Sequence, residues 1–416
     1  MLAVGLSPSR PAAMPAVRWP AWLFAAGAHV LVLLAAWRLV PLHPSARYLA
    51  LNMWNYPAAH FLVQYDSLYF VAIAQHGYLV PGLPAGVPTV FFPWVPLLLA
   101  ATRSVWVFLA LQVIAFGACC WLVARVAVRW QSTPGFAAWA VWLFALNPAL
   151  VYYSAPYAEL WTMLGALAAV EWWCTKHPGL SALVSVGTAL TQASGLLVGI
   201  IPLTEAVSAL KAGDHRRLMA AVGWGMGLVV GVGLYMGYLG WRFGHPLWFS
   251  TEEGSSWWHA GWVVPGSGLW AGVKLAVAGI SGYRMLVVMT LLLVVGLVAA
   301  VVRGRRATDP WVQGVAWYAV LGILLPMSFA TATHPLHSTV RLLSDYFPAY
   351  LGLAALAVRY RGVGAGLLAA PASVISAIKR DLLSNSWLQM REDSFAAADR
   401  LALRALTRAD QDHARA

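Results

Sequence analysis

Long apolar runs that end at basic residues constrain the fold of this chain more than any other feature. A helix needs about 20 apolar residues to cross a bilayer, and the chain contains eight runs near that length. They are Trp19–Val40, Ser104–Val128, Pro134–Tyr152, Tyr157–Cys174, Leu218–Trp241, Tyr283–Val302, Trp311–Ala332 and Leu342–Val358. Charged residues make up 10% of the 416 residues, whereas soluble proteins carry about a quarter. We therefore predict an all-α polytopic membrane protein with about eight full transmembrane helices.

The basic residues predict the side of the membrane on which each loop lies. Cytoplasmic loops are enriched in Lys and Arg, so we expect Arg18, Arg125 and Arg129 in the cytoplasm. The first apolar run lacks a clear cleavage site, and we interpret it as a retained anchor. Residues 41–103 and 242–282 then form external loops, and both chain termini are cytoplasmic.

The same rule divides the chain into two predicted regions. Residues 1–370 form a transmembrane domain, and residues 371–416 form a cytoplasmic helical tail with apolar residues at helical spacing.

The net charge of +12 does not indicate a nucleic-acid partner, because the basic residues cluster at the ends of apolar runs. The three cysteines lie inside apolar runs, without a disulfide framework or metal-ligand spacing. We predict no nucleic-acid partner, no metal and no cofactor.

Residues Leu180–Leu210 require a special arrangement. The basic residues before and after them, Lys176 and Lys211, both belong in the cytoplasm under the same rule. Thirty residues are too few for two full spans of about 20 residues each. Two half-depth helices broken near Thr191–Gly195 satisfy both conditions, provided that protein or a water-filled cavity shelters the break. We predict one re-entrant helix pair, with a single long tilted helix as the alternative.

Five acidic residues lie at or just below the predicted external surface. They are Asp66, Glu159, Glu252, Glu253 and Asp345. No acid is expected in the middle of a span, where proton- or ion-coupled transporters usually need an ionisable relay. Acids gathered on one face indicate an enzyme that acts at the outer leaflet.

Asp66 is the leading catalytic candidate. It opens a predicted helix over 66–75, whose apolar residues three or four positions apart form a stripe suited to the membrane surface. The large first external loop is therefore expected to carry amphipathic helices. A capping role in the first helical turn is the alternative for Asp66. His76 has a similar alternative as a partner of the helix C-terminus.

Other polar residues at the membrane edge favour a phosphate ligand over a metal. Arg341 is not explained by the positive-inside rule, and a phosphate is a natural partner for its guanidinium. A salt bridge to Asp345, one helical turn later, is the alternative. Glu159 begins a span, where buried charge is usually functional. His334 and His337 have no third ligand and are weak evidence for a metal.

Several motifs together resemble the PIG-V-type mannosyltransferases, the second mannosyltransferase of GPI-anchor assembly and its bacterial relatives. The resemblance runs from about Trp54 to Tyr350. The motifs are Asp66 with Ile73–Tyr78 and Phe91–Pro93, then Asn147-Pro148, Tyr157–Glu159, Phe243–Ser250, and Ser338–Arg341 ahead of Phe347-Pro348. The family belongs to the GT-C class of polytopic glycosyltransferases, so the resemblance implies a GT-C-type bundle.

Three positions depart from the family pattern. Tyr65 stands before Asp66 where the family usually has Trp, and Leu342 follows Arg341 where it usually has Tyr. Gln192 stands in the re-entrant segment where the family often has Arg. The last change removes a cation able to meet a phosphate.

The resemblance implies inverting transfer of mannose from a polyprenyl-phosphate-mannose donor to a lipid-linked or surface glycan. Such a donor explains why no Asp-x-Asp nucleotide-sugar motif is needed. We expect Asp66 to be the general base and Arg341 to bind the donor phosphate. The expected helpers at the phosphate are His76, His337 and Gln192. The expected substrate-binding residues are Tyr65, Tyr157, Glu159, Glu252, Trp257 and Trp258.

Three alternatives remain open from the residues alone. A GT-C enzyme that uses another polyprenyl-phosphate sugar would carry the same motifs. A non-enzymatic flippase or transporter of lipid-linked glycans would share the membrane composition and would not need Asp66. The tryptophan-rich loop that contains Trp257 and Trp258 has an interfacial aromatic anchor as its alternative role.

Overall fold

The structure is a computed structural model that describes residues 66–147, 150–255, 260–280, 282–331 and 335–360, with Gly27, Val30, Leu31, Val63 and Trp258. The rest of the predicted first span and the predicted tail, 371–416, lie outside these residues. The described chain is mostly helical, with 15 α-helices. It agrees with the predicted class, an all-α membrane protein.

The helices are numbered in chain order. They are α1 Asp66–His76, α2 Trp94–Thr102, α3 Val105–Trp130, α4 Phe136–Ala145, α5 Leu150–Ser154, α6 Glu159–Cys174, α7 Pro178–Ala189, α8 Ile200–Ala212, α9 His215–Phe243, α10 Trp248–Glu252, α11 Ser267–Val277, α12 Tyr283–Gly304, α13 Pro310–Ser328, α14 His337–Ser344 and α15 Pro348–Arg359. Two 3₁₀ segments, Val87–Val90 and Ala193–Gly199, lie between them. Strands β1 Ala260–Trp262 and β2 Phe329–Thr331 pair antiparallel, with Gly261 opposite Ala330. This ribbon joins the second predicted external loop to the end of α13.

Five helical segments of the described chain are long and apolar enough to cross a membrane. They are α3, Ala193–Ala212, α9, α12 and α13. Four of them match predicted spans, and Ala193–Ala212 belongs to the predicted re-entrant pair. A helix of this length with few charges is typical of a multi-pass membrane protein.

Two predicted spans are broken in the structure. The segment 134–152 divides into α4 and α5, and Pro148 in the intervening sequence has no N–H for a continuous helix. The segment 342–358 divides into α14 and α15, because Pro348 occupies the first turn of α15. A third predicted span appears as α6, with 16 residues, ten of them buried. The prediction of about eight full spans therefore exceeds what the described chain contains.

The predicted break near Thr191–Gly195 is present. Helix α7 ends at Ala189, and the 3₁₀ segment begins at Ala193. The Thr191 hydroxyl donates to the Thr188 carbonyl at 2.6 Å, which satisfies an oxygen freed at the helix end. A Cβ at Gly195 would collide with the same Thr188 carbonyl, so only glycine permits this return of the chain. The helix is therefore not continuous, as the single-helix alternative required, and its second arm is long enough for a full crossing.

Helix α1 differs from the predicted amphipathic helix. Its buried residues are Ser67, Leu68, Phe70, Val71, Ala72 and Ile73. At about 100° per residue these positions surround the helix axis, so they do not form one stripe. The prediction of a surface-lying helix is wrong, because neighbouring segments such as α2 cover α1 inside the protein.

Helix α6 connects two chemically different ends of the bundle. At its C-terminal end, Glu171 binds Arg125 and Arg129 at 2.6 and 2.9 Å. At its N-terminal end lies Glu159, about 18 Å away along the axis at 1.5 Å per residue. Arg125 and Arg129, at the end of one apolar run, therefore lie far from Glu159.

Candidate active site

Asp66 and Arg341 form a direct ion pair. Arg341 Nη1 donates to Asp66 Oδ2 across 275 residues of sequence. Asp66 is the first residue of α1, and Arg341 lies in the last turn of α14. Their side chains are 24% and 21% exposed, so solvent reaches both groups. A carboxylate and a guanidinium thus meet where a water-soluble group can approach them.

Glu159 and Tyr157 hold the other sides of the Arg341 guanidinium. The Glu159 carboxylate begins α6, is 2% exposed, and lies with Oε1 at 2.9 Å from Arg341 Nε. The guanidinium carbon lies 5.6 Å from the centre of the Tyr157 ring, a cation–π distance. Glu159 Oε2 has no hydrogen-bond partner in the part of the chain that the structure describes. Arg341 is therefore positioned by two carboxylates and one aromatic ring.

Asp345 does not pair with Arg341 as the alternative interpretation proposed. Asp345 is 1% exposed and lies in the break between α14 and α15. Its Oδ2 accepts a hydrogen bond from Gln192 Nε2 at 2.6 Å. The described ion pairs of Arg341 are instead with Asp66 and Glu159. Gln192, expected near the donor phosphate, is used to hold Asp345.

A buried tyrosine pair fixes the break that follows Arg341. Tyr153 and Tyr350 donate hydrogen bonds to the Ser344 carbonyl at 2.7 and 3.0 Å. Their hydroxyl oxygens lie 3.1 Å apart. Asn147 donates to the Tyr350 hydroxyl. The motif Asn147-Pro148 drew attention to this region, but no periodicity indicated that these phenols support the end of α14.

The Phe91–Pro93 motif is held beside the helix break at 190. Trp94 N–H donates to the Leu190 carbonyl at 3.0 Å. The Phe91 carbonyl accepts a hydrogen bond of 2.7 Å from Tyr78. The rings of Phe91 and Tyr69 stack with centroids 5.0 Å apart. This motif therefore connects helix α1 to the segment that carries Gln192.

The loop after α10 covers the aromatic side of the site. The Trp258 ring packs 5.2 Å from Tyr69 and 5.5 Å from Phe91, between ring centres. Trp258, one of the expected substrate-binding residues, therefore packs against Tyr69, which lies one helical turn after Asp66. Its indole N–H has no hydrogen-bond partner in the described chain.

Glu252 and Glu253, at the end of α10, have different surroundings. Glu252, expected to bind substrate, lies against Gly86, where an added Cβ would meet its carboxylate. Glu253 instead senses the charge of Arg341. Burial raises the pKa of Glu253 from 4.5 to about 6, and the positive charge of Arg341 opposes that rise. Only Glu253 is therefore linked to Arg341 by charge, and the expected role of Glu252 in binding substrate stays a prediction.

Four expected site residues are not brought to Arg341 by the described contacts. His76 is exposed at the other end of α1, about 15 Å from Asp66 along an 11-residue helix. Tyr65 and Trp257 lie outside the described residues. His337 begins α14, one turn before Arg341, and its side chain is also outside the described part. Among the described residues, no three His, Cys, Asp or Glu side chains form a group able to hold a metal ion.

The central cluster carries more acid than base. Asp66, Glu159 and Asp345 supply three carboxyl groups, and Arg341 supplies the guanidinium.

Comparison of the chain with protein-family models, with curated proteins and with solved structures finds no match.

Proposed function

We propose that this chain is an inverting glycosyltransferase. It moves mannose from a polyprenyl-phosphate-mannose donor to a lipid-linked or surface glycan on the outer face of the membrane. The contact between Asp66 and Arg341 carries the proposal, because it joins a proton acceptor to a phosphate-binding cation. The resemblance of the surrounding motifs to the PIG-V-type mannosyltransferases supplies the sugar and the lipid carrier.

In the proposed reaction, Asp66 accepts the proton of an acceptor hydroxyl while that oxygen bonds to C1 of the mannose. The bond between C1 and the phosphate oxygen breaks, and its electron pair leaves with the polyprenyl phosphate. Arg341 stabilises the negative charge that grows on the departing phosphate. A single displacement at C1 inverts the configuration of the sugar.

The geometry of Arg341 supports this division of roles. A guanidinium carries five N–H groups in a rigid fork. Asp66 accepts a hydrogen bond from Nη1, and Glu159 lies beside Nε. Further N–H groups of the guanidinium can therefore donate to a phosphate. Glu159 and Tyr157 restrain the side chain before the donor arrives, which reduces the entropy lost on binding.

The aromatic surface beside Asp66 supports a sugar ligand. Tyr69 and Trp258 lie on the same side of α1 as Asp66 or pack against that side. Aromatic rings offer a flat apolar face with a polar edge, which suits the C–H face and the hydroxyls of a pyranose. The Trp258 N–H, which has no hydrogen-bond partner among the described residues, can donate to a sugar oxygen.

The distribution of charge supports a site at the outer leaflet. Arg125, Arg129 and Arg217 lie at the end of the bundle opposite Glu159, where they pair with Glu171 and Glu205. Under the positive-inside rule, the basic end faces the cytoplasm. The opposite end, with Arg341, then faces outside, and the donor approaches with its lipid in the outer leaflet.

The test is donor consumption by purified protein in lipid nanodiscs. The protein is incubated with polyprenyl-phosphate-mannose and a membrane glycolipid extract, and the released polyprenyl phosphate is measured. Asp66→Asn should lower turnover by about 10²–10⁴-fold while donor binding is retained. Asp309→Asn is the matched control, because Asp309 is exposed and makes no capping hydrogen bond.

The outcomes separate the alternatives. Turnover with polyprenyl-phosphate-glucose or -arabinose, but not with the mannose donor, would show that the protein is a glycosyltransferase of the same class that uses another sugar. Full activity of Asp66→Asn, or donor movement between leaflets without consumption, would refute the proposed enzyme.

A further inference from the structure

Asp345 is buried, and no cation of the described residues forms an ion pair with it. It is 1% exposed, and Oδ2 accepts one hydrogen bond, from the neutral amide of Gln192. Oδ1 has no hydrogen-bond partner among the described residues. An ionised carboxylate removed from water needs a paired cation or several donors. One amide N–H does not meet that need.

The groups that face Asp345 do not supply the missing charge. Arg341, four residues earlier, is already engaged by Asp66 and Glu159. From α6, the other charged group that faces Asp345 is Glu159, which is 2% exposed. Among the described side chains, the remaining titratable groups that face Asp345 are phenols from α5, α13, α15 and the break itself. They are Tyr153, Tyr318, Tyr350 and Tyr346.

The charged groups of the cluster carry more negative than positive charge. With all three carboxyl groups ionised, Asp66, Glu159, Asp345 and Arg341 together carry a net charge of −2. Two buried carboxylates that share a site repel each other, so one of them takes a proton. Glu159 has the guanidinium of Arg341 at 2.9 Å, whereas the hydrogen-bond partner of Asp345 among the described residues is the neutral amide of Gln192. The proton therefore belongs on Asp345.

We propose that Asp345 is a neutral carboxylic acid at neutral pH and acts as a positioning residue of the site. Because Asp345 carries the proton, Glu159 stays ionised beside Arg341. Gln192 fixes the orientation of the Asp345 side chain. The net charge of the cluster is then −1, which lowers the repulsion of an anionic phosphodiester. This last consequence rests on the proposed function, while the protonation of Asp345 does not.

The first test is infrared spectroscopy of the full chain in detergent. A protonated carboxylic acid has a carbonyl stretching band that a carboxylate lacks. At neutral pH we expect this band in the wild type and in Glu159→Gln, and its loss in Asp345→Asn. Asp309→Asn, which removes an exposed acid, should leave the band unchanged. The same spectrum for wild type and Asp345→Asn, or loss of the band in Glu159→Gln alone, would overturn the proposal.

The second test uses donor consumption. Asn resembles a neutral Asp, so Asp345→Asn should keep turnover within about threefold of wild type. Asp345→Ala removes the acceptor of Gln192 and should lower turnover more than about tenfold. A loss in Asp345→Asn as large as that in Asp66→Asn would contradict a neutral acid. If the wild type consumes no donor, the proposed function fails, and the infrared result still decides the state of Asp345.

Discussion

Arg341 on α14 donates a hydrogen bond to Asp66 at the start of α1, and the same guanidinium lies 2.9 Å from Glu159 at the start of α6. Three segments distant in sequence therefore meet at one cation. Removing one partner of a buried ion pair is more damaging than removing both, because it leaves an unpaired charge. This asymmetry makes the cluster open to direct mutational tests.

We expect Arg341→Gln to destabilise the protein as well as stop turnover. Glu159 would remain buried without its cation, at a cost of about 3–5 kcal/mol. Thermal unfolding in detergent should show a lower Tm, and the double variant Arg341→Gln/Glu159→Gln should recover most of it. Arg242→Gln, at an exposed arginine, is the control. An unchanged Tm for Arg341→Gln would contradict the ion pair.

The raised pKa of Glu253 predicts a stability that depends on pH. The folded protein holds this proton up to about pH 6, whereas the unfolded chain releases it near 4.5. Stability is therefore lost as pH rises from 4.5 to 6, and Glu253→Gln should avoid that loss. The gain at pH 7 should be about 1 kcal/mol after allowance for solvent screening.

The measurement is the difference in Tm between Glu253→Gln and wild type at several pH values. It should be near zero at pH 4.5 and positive at pH 7. The neighbouring change Glu252→Gln serves as the control for removing a loop carboxylate. A difference that stays constant with pH would show that Glu253 titrates normally.

The hydrogen bonds to the Ser344 carbonyl predict a separate effect on positioning. Tyr350→Phe removes one of the two phenols that hold this carbonyl and should cost about 1 kcal/mol of stability. Because the break after α14 positions Arg341, affinity for the donor should fall as well. Tyr360→Phe, at a tyrosine 48% exposed, should change neither quantity. Donor binding measured alongside Tm separates loosening of the site from general destabilisation.

Close helix packing predicts sensitivity at Gly352. A Cβ there would collide with the Gly296 carbonyl, so α12 and α15 approach each other through these glycines. Gly352→Ala should destabilise the protein by about 1–3 kcal/mol. Gly237→Ala is the matched control, because an added Cβ there meets nothing within 4 Å. Equal Tm values for the two variants would contradict the close approach.

The charged residues of the candidate site could be found from the sequence because charge is rare in this chain. An acid or arginine near an apolar run has few neutral explanations, and this reasoning selected Asp66, Glu159 and Arg341. The sequence did not show which of these residues pair with each other. The spacing of Arg341 and Asp345 suggested a bond within one helix, but α14 ends at Ser344 and the next residue turns to Gln192 instead.

The arrangement of the helices was likewise predicted only in part. The requirement for an even number of crossings in a segment of 30 residues predicted the break near Gly195, since it follows from simple counting. The burial of α1 was not predicted, because it depends on which segments cover the helix. Tyr153 and Tyr350 were missed for a similar reason, since their shared acceptor lies more than 190 residues from Tyr153.

The amino-acid sequence by itself determined that this is a helical membrane protein in which charged residues are few. Those properties follow from hydrophobicity and charge, which each segment carries regardless of its neighbours. Only the tertiary structure decided that Arg341 binds Asp66 and Glu159 while Asp345 binds Gln192. Side chains choose partners by distance and direction after the helices pack, and neither quantity is present in a linear chain.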